Sequence, residues 1–478
     1  MTKKFTQSIF ILIMLNLLVK PFFIFAIDRS IQNQVGSEQY GLYFSLLGFS
    51  LIFNIVADFG ITNFNTKNIA QNHQLLSLQL GNLIPLKILF GVVYCIITLL
   101  FAFFIGYSNH QIYLLFWLIV NQLIISFTLY LRSNISGLQL FNVDSLISVI
   151  DKIILIIICS FLLWGNFLNS IKIEWFIYSQ SFSYLISLLT ALYIVYKKTI
   201  SIKLKFKFNA SIETLKKSYP YALLMFLMIV YTRIDTVMLE RMLPDGKIQA
   251  GIYAQAFRMV DAMAMFAYLF ASILLPLFAK MIKDQKYLLE ILSHSFGMLF
   301  IPSLGIVVSL FLYSKEFMTL LYDKHINESA LVLQYLVVGY TGICMIYIFG
   351  TLLTASGNLK ILNRIALAGF IMNIIINALL IPIYGIVGAA ISNLATQLIM
   401  GLSQLFISCK IFKISISPIA ISKYGILICL TSGFALLIHS TATNWYLPIL
   451  TIPLFPILLG LLLGLLKIKD FKKLFQLN

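Results

Sequence analysis

Hydrophobic residues recur along this chain in runs of about 20, separated by short polar stretches, over its whole length. At ~1.5 Å rise per residue, a helix of that length crosses the ~30 Å hydrocarbon layer of a membrane. The pattern predicts an all-α polytopic membrane protein with about fourteen transmembrane helices. The predicted spans are 8–27, 40–64, 79–106, 111–131, 144–168, 173–196, 218–242, 250–279, 288–313, 329–354, 361–382, 386–409, 418–440 and 445–466.

The longest polar connection, residues 197–218, carries seven lysines and divides the chain into halves. Two stretches recur across it: YGLYFSL (40–46) is similar to AGIYAQA (250–256), and SGLQLFNVDSL from Ser136 is similar to SGNLKILNRIA from Ser356. Both halves run in the same direction, as parallel transporter repeats do. We therefore predict that the basic linker, 201–217, separates two halves of the chain.

Composition and charge support a membrane protein with a defined orientation. The chain is 60% hydrophobic and 11% charged, with a net charge of +17. If the N-terminus is cytoplasmic, 23 of the 34 basic residues lie in cytoplasmic segments, six on the opposite face and five inside spans. This bias follows the positive-inside rule and predicts cytoplasmic N- and C-termini. An anionic inner leaflet accounts for the charge without a nucleic-acid partner.

Catalytic and metal-binding patterns are absent from the sequence. It has no HExxH, P-loop or GxSxG motif, and its five cysteines show no CxxC spacing. The two longest predicted outer loops, about 28–39 and 314–328, carry no catalytic constellation. We therefore predict a transporter with no catalytic residues, no metal and no cofactor.

Nine charged residues lie deep in predicted spans, where each costs roughly 2.5–3.5 kcal/mol unless it has a partner or a water-filled cavity. They are Lys20, Asp58, Lys87, Asp151, Lys152, Arg233, Asp235, Arg258 and Asp261. Arg233 and Asp235 point about 200° apart on one helix and so do not pair with each other. Counting outward from the turn near Gly246 matches Asp235 with Arg258 and Arg233 with Asp261. Arg258 and Asp261 could also pair with each other.

The same counting around the loop near Asn72 matches Asp58 with Lys87. Lys20 has no carboxylate at matching depth on neighbouring spans, and the adjacent Pro21 favours a kink. Two interpretations remain open. Either the pairs only hold helices together, or they line a central cavity where Lys20, Arg233 or Arg258 receives an anionic group such as a phosphate.

Three stretches carry a family resemblance. They are VGSEQYGLYFSLLGFSLIFNIVADFGITNFNTKNIA from Val35, YTRIDTVMLERMLPDGKIQAGIYAQAFRMVDA from Tyr231 and ASGNLKILNRIALAGFIMNIIINALLIPIYGIVGAAIS from Ala355. They resemble the polysaccharide-transport (Wzx-type O-antigen flippase) family. That family belongs to the multidrug/oligosaccharidyl-lipid/polysaccharide exporter superfamily, which includes multidrug exporters and lipid II flippases.

The resemblance implies a multidrug-exporter-like fold of two pseudo-symmetric six-helix bundles, 1–200 and 218–410, joined by the basic cytoplasmic linker 201–217, with accessory helices 13 and 14 and a basic tail, 418–478. It also implies a flippase of the bacterial inner membrane. Its cargo would be an undecaprenyl-diphosphate-linked oligosaccharide, such as an O-antigen unit of lipopolysaccharide, moved from the inner to the outer leaflet by alternating access. Lys20, Arg233 and Arg258 match positions expected to bind substrate. Asp58, Asp235 and Asp261 are the carboxylates available for ion coupling, with protons or sodium, or for gating. Membrane lipids, a polysaccharide polymerase and a chain-length regulator are the implied partners.

Two other functions compete with this one. A multidrug exporter of the same superfamily, which prefers cationic drugs, would have a carboxylate-dominated cavity. The nine deep charged residues comprise five basic and four acidic ones, which slightly disfavours a multidrug exporter. A membrane glycosyl polymerase or ligase normally has a large outer loop with Arg or His clusters, which this sequence lacks.

Overall fold

The computed structural model describes residues 14–62, 65, 66, 69, 72, 74, 76–165, 170–199, 208–282, 284–414, 417–441 and 444–466. Twelve helices in these ranges are long and apolar enough to cross a membrane. The first, Met14–Asp58, is broken at Gly36 into two spans, and the apolar helix Tyr446–Leu462 adds another. With the first helix divided and the short one included, the described chain contains the fourteen spans that the sequence predicts.

We number these spans α1 to α14. They are α1 (14–35), α2 (37–58), α3 (Leu76–Phe104), α4 (Asn109–Gly137), α5 (Phe141–Trp164), α6 (Ile173–Lys197), α7 (Phe208–Met242), α8 (Gly246–Met281), α9 (Gln285–Leu312), α10 (Ile326–Ala355), α11 (Leu359–Tyr384), α12 (Ile386–Ile411), α13 (Pro418–Thr441) and α14 (Tyr446–Leu462).

The prediction of a loop over residues 28–39 is wrong. Helix continues from α1 through Arg29, and only Gly36 departs from helical geometry, with φ 82° and ψ 167°. A positive φ of this kind costs glycine little, which explains why the reversal between α1 and α2 needs no further loop residues. The other predicted loop, 314–328, contains the short helix Ser314–Leu321.

The irregularity predicted near Pro21 takes a specific form. The segment Phe23–Asp28, which begins two residues after the proline, is π-helical. Proline lacks a backbone N–H and cannot complete the regular α-helical hydrogen-bond ladder, and π-segments are one way in which a long helix absorbs such a fault. The π-segment ends at Asp28, whose side chain is buried and accepts a hydrogen bond from the Tyr40 hydroxyl at 2.7 Å.

Contacts divide the chain into unit 1, Met1–Gly251, and unit 2, Ile252–Asn478, with the boundary inside α8. In unit 1, α4 packs on α6, and α2 packs on both α4 and α7. In unit 2, α12 packs on α10 and α11, and α14 packs along α9. In this structure α7 thus joins the first six helices. The predicted boundary between the two six-helix bundles, at 201–217, stays a prediction.

One end of unit 1 is joined tightly, and we call it the turn end. It contains the α1–α2 break at Gly36, the α3–α4 connection and the α7–α8 turn at 243–245. A side chain at Gly41 would overlap the Lys247 carbonyl oxygen, and one at Gly251 would overlap that of Ser37. Gly41 and Gly251 are the two glycines that the internal similarity aligns. Here α2 crosses the start of α8 at a separation that only glycine permits.

Candidate functional site

Lys87 and Asp58 form the ion pair that the sequence predicts. Lys87 Nζ lies 2.8 Å from Asp58 Oδ1 and donates a second hydrogen bond to Ser126 Oγ at 2.7 Å. The Lys87 side chain is fully buried, whereas that of Asp58 is 24% exposed. The Thr62 hydroxyl also donates to Asp58. The charge of Asp58 is therefore neutralised in this structure by a lysine that has no access to solvent.

Lys20 faces charges that do not come from its sequence neighbours. Asn16 Nδ2 donates to Ser148 Oγ at 3.1 Å, which places α1 beside α5. One turn further along, Lys20 is within electrostatic range of Asp151, Lys152 and Arg132. The sequence expectation for Lys20 concerns only neighbouring spans, and counting along adjacent spans does not reach Asp151 on α5.

Two of the three charged groups within electrostatic range of Lys20 are cations. Arg132 Nε lies 2.7 Å from Asp144 Oδ1, and Lys152 Nζ lies 3.6 Å from Asp151 Oδ2. Lys152 Nζ also donates to the Tyr184 hydroxyl at 3.2 Å and lies 5.0 Å from the centroids of the Tyr184 and Phe23 rings. We call Lys20, Arg132, Asp144, Asp151 and Lys152 the Lys20 cluster. It has three cations and two carboxylates, and among the described residues Lys20 is in no ion pair.

The remaining predicted site residues are divided between the units. In unit 2, Arg258 Nη1 lies 3.5 Å from Asp261 Oδ2, three residues further along α8, so the pairing of these two residues that the sequence left open is observed. In unit 1, Asp235 is fully buried on α7 and Arg233 is half-buried. The predicted pairs of Asp235 with Arg258 and Arg233 with Asp261 stay predictions.

Sequence reasoning missed a neutral polar cluster in unit 2. Asn373 Nδ2 lies 3.3 Å from both Ser392 Oγ and Thr396 Oγ1, and Asn377 Nδ2 donates to Asn373 Oδ1 at 3.1 Å. All four residues are buried between α11 and α12. A search restricted to charges overlooks them. The available signal is the repeat of polar residues four apart, at 373 and 377 and again at 392 and 396, inside otherwise apolar spans.

Sequence reasoning also missed Glu240, near the turn end of α7. The Glu240 side chain is 4% exposed, and its Oε1 accepts a hydrogen bond from Gln111 Nε2 at 2.8 Å. Glu240 lies close to the end of its span, so depth alone did not mark it as costly. Among the described residues, no group of three or more His, Cys, Asp or Glu side chains is placed to hold a metal ion.

Comparison with known families adds to this geometry. A family model described as polysaccharide biosynthesis protein matches residues 5–282, more than half of the chain. The chain belongs to this family. The resemblance to polysaccharide transporters that the sequence indicates is confirmed at this level.

Two relatives are similar to this chain, and one of them is a polysaccharide biosynthesis protein. An uncharacterized membrane protein of Methanocaldococcus jannaschii is 25% identical, over 79% of this chain and 92% of its own length. The capsular polysaccharide biosynthesis protein CapF of Staphylococcus aureus is 27% identical, over 44% of this chain and 54% of its own length. The first relative spans most of the chain, so the similarity is not confined to one helix pair.

Solved structures show the same fold. The lipid II flippase MurJ, in an inward closed conformation, has a TM-score of 0.69 at 17% identity and covers 96% of this chain and 97% of its own. A multidrug resistance MATE family transporter, in an inward-facing conformation, has a TM-score of 0.60 at 12% identity and covers 84% of this chain and 98% of its own. The predicted multidrug-exporter-like fold is confirmed.

Proposed function

We propose that this protein is a flippase that moves a polyprenyl-diphosphate-linked oligosaccharide from the inner to the outer leaflet of a bacterial cell membrane by alternating access. Membership of the polysaccharide biosynthesis family and the fold shared with a lipid II flippase support the proposal. The glycan would be a surface polysaccharide unit such as O-antigen. A polysaccharide polymerase and a chain-length regulator would act on the exported unit.

The observation that carries the proposal is the surplus of positive charge around Lys20. A cation in a membrane-embedded helix is costly unless water or an anion compensates it, and the cluster lacks one carboxylate for this purpose. A diphosphate supplies the missing negative charge and binds well to ammonium and guanidinium groups. Lys20 is thus the proposed first contact for the diphosphate, and Arg233 and Arg258 are proposed as further substrate-binding cations.

The proposed carboxylates then act by exchanging partners. Asp58 is held by Lys87 and Asp261 by Arg258. A diphosphate that approaches Arg258 competes with Asp261 for the guanidinium and frees the carboxylate, while Asp235 is the buried carboxylate on α7. We infer that Asp58, Asp235 and Asp261 couple ion binding or gating to substrate binding through such exchanges.

Drug export is the second candidate, because a multidrug transporter shares the fold. The two functions differ in the charge that the site must accommodate. A cationic drug is repelled by the surplus charge of the Lys20 cluster, whereas a diphosphate is attracted to it. We therefore place drug export second.

Deletion of the gene in its host separates the candidates. Flipping requires that complete lipid-linked repeat units accumulate and stay inaccessible to reagents added from outside the cell. Intact surface glycan together with lost dye efflux would instead assign drug export. Intact glycan and intact efflux would contradict both.

Variants of Lys20 test the proposed contact in the complemented strain. We expect Lys20→Gln to abolish glycan export while the protein still accumulates in the membrane, because the change removes charge and keeps most of the volume. Lys20→Arg restores part of the export. Lys172→Gln, which neutralises an exposed lysine of unit 1, is the matched control and leaves export unchanged. Normal export by Lys20→Gln would remove Lys20 from the site.

Arg233→Ala distinguishes the two interpretations of the buried charges. A substrate role requires that the variant accumulate normally and lose export. Failure to accumulate in the membrane, measured by immunoblot against Lys172→Gln, would make Arg233 a residue that holds helices together.

A further inference from the structure

Glu240 belongs to a polar cluster at the turn end that the proposed substrate path does not use. Its carboxylate is buried beneath the first turn of α4, where Asn109 and His110 are exposed. A buried carboxylate close to solvent-exposed residues is positioned to exchange protons with the water beyond them.

Gln111 holds Glu240 while it also builds the start of α4. Its Oε1 accepts from the Ser108 backbone N–H at 2.9 Å, which completes a capping box, and its Nε2 donates to Glu240. Both ends of the amide are thus occupied. The helix N-terminus carries a partial positive charge that favours the ionised form of Glu240 over the protonated form.

Arg241 is the second partner. Its Nε lies 2.9 Å from Glu240 Oε2, close enough for an ion pair but without hydrogen-bond geometry. Its guanidinium carbon lies 3.8 Å from the centroid of the Tyr107 ring, on the α3–α4 connection. Lys247, at the start of α8, is the further charged residue within electrostatic range of Glu240. The negative charge of Glu240 thus attracts cations on α7 and α8 and a helix N-terminus on α4.

This cluster lies at the same end as the close helix crossing. The Gly41 and Gly251 contact joins α2 to α8, and the Gln32 amide donates to the Gly251 carbonyl oxygen at 2.9 Å. A side chain at Gly246 would overlap the backbone carbonyl oxygen of Glu240, so these two backbones also lie close together. Glu240 is the one carboxylate among these contacts whose side chain joins α7 to α4, so its charge state bears on whether the turn end stays closed.

We propose that Glu240, with Gln111, Arg241 and Tyr107, forms a proton-operated latch that holds the turn end closed, and that proton binding to Glu240 from the outer side releases it. Uptake of one proton on Oε1 or Oε2 removes the charge that attracts Arg241, Lys247 and the α4 N-terminus, and leaves at most neutral hydrogen bonds. Loss of the proton re-forms the latch. The proposal requires the turn end to face outside, as the positive-inside rule predicts, and goes beyond the identity of the cargo.

Spin labels across the latch test this in the full chain, purified into lipid nanodiscs without substrate. The labels are attached through Asn109→Cys and Pro244→Cys, both exposed positions beside the latch, after replacement of the five native cysteines. We expect a short distance at pH ~8 and a longer one at pH ~4, a range that spans the titration of an ordinary Glu. Glu240→Gln, which mimics the protonated form, raises the open-to-closed ratio at pH ~8 about tenfold, the effect of one lost charge-assisted contact.

Glu38→Gln is the matched control, because Glu38 is exposed on α2 near the same end; it retains the pH dependence. Gln111→Met breaks the latch from α4 and gives the open distance even where Glu240→Gln yields no folded protein. A distance that does not change with pH, or an open-to-closed ratio at pH ~8 that is unchanged from wild type in Glu240→Gln or Gln111→Met, overturns the proposal. Because no substrate is present, these outcomes do not depend on whether lipid-linked glycan is the cargo.

Discussion

Buried charges in this protein differ in how completely they are compensated. Lys87 has a carboxylate and a hydroxyl within hydrogen-bond distance and no solvent exposure. Lys20, in contrast, forms no ion pair among the described residues and lies within electrostatic range of Asp151 and of two other cations. A buried charge that is fully neutralised by its partners is typical of a structural ion pair. A buried charge that is only partly neutralised is typical of a site that binds a charged ligand. We therefore expect the two lysines, both deep in predicted spans, to differ in role: Lys87 stabilises the fold and Lys20 contacts the substrate.

Lys87→Met tests the structural role. The change leaves Asp58 with its charge and without its cation, and removal of one partner of a buried pair costs about 3–5 kcal/mol. We expect a large drop in the thermal unfolding temperature of the purified protein, measured by scanning fluorimetry. The double variant Lys87→Met with Asp58→Leu recovers most of it, since no charge is left uncompensated.

Lys172→Met is the control for the lost lysine, because Lys172 is exposed at the start of α6. It is expected to unfold at the wild-type temperature. If Lys87→Met were as stable as wild type, or if the double variant were less stable than the single one, the pair would not be a stabilising element.

At the scale of elements, the crossing of α2 and α8 depends on two glycines. Gly41 lies against the backbone of Lys247, and Gly251 lies against the backbone of Ser37. Backbone atoms cannot move aside as a flexible side chain can. Helices in membranes associate through such small residues because lipid offers no hydrophobic gain for burial of larger ones. The internal repeat thus places one glycine on each of the two helices that meet.

Gly41→Ala is expected to separate α2 from α8. The added methyl group overlaps the Lys247 carbonyl oxygen, so the closed turn end loses stability relative to an open one. In the spin-label experiment the open distance should then dominate even at pH ~8. Gly425→Ala on α13, where a methyl group meets nothing within 4 Å, is the control and keeps the closed distance. An unchanged distance in Gly41→Ala would mean that the crossing does not govern closure.

At the scale of the whole molecule, the sequence predicts the helices and the contacts between helices that are consecutive along the chain. Apolar run length predicts the spans, and counting around one loop predicts the Asp58 and Lys87 pair because their helices are consecutive. The neighbours of Lys20 come from α4 and α5, which no count along adjacent spans reaches. The continuous helix through Arg29 was missed because polar residues near a membrane surface fit a loop and a helix equally well.

The last two helices pack within unit 2. The family resemblance implies that α13 and α14 are accessory, and in the structure α14 lies directly on α9. A methyl group at Gly305 would lie 2.6 Å from Pro453 Cα, and one at Gly460 would lie 3.0 Å from Ile301. Lys423 Nζ also donates to the Leu463 carbonyl oxygen at 2.7 Å and joins α13 to the end of α14. Such close contact indicates a structural part of unit 2.

Truncation after Phe412 tests this. Removal of α13 and α14 leaves the face of α9 around Gly305 in contact with lipid, which does not fill the small-residue surface as α14 does. We expect the truncated protein to accumulate less and to unfold at a lower temperature than the full chain. Truncation after Leu466, which keeps both helices, is the control for the loss of the basic tail. If the shorter variant matched this control in amount and unfolding temperature, α9 would be stable without α14 and the accessory interpretation would stand.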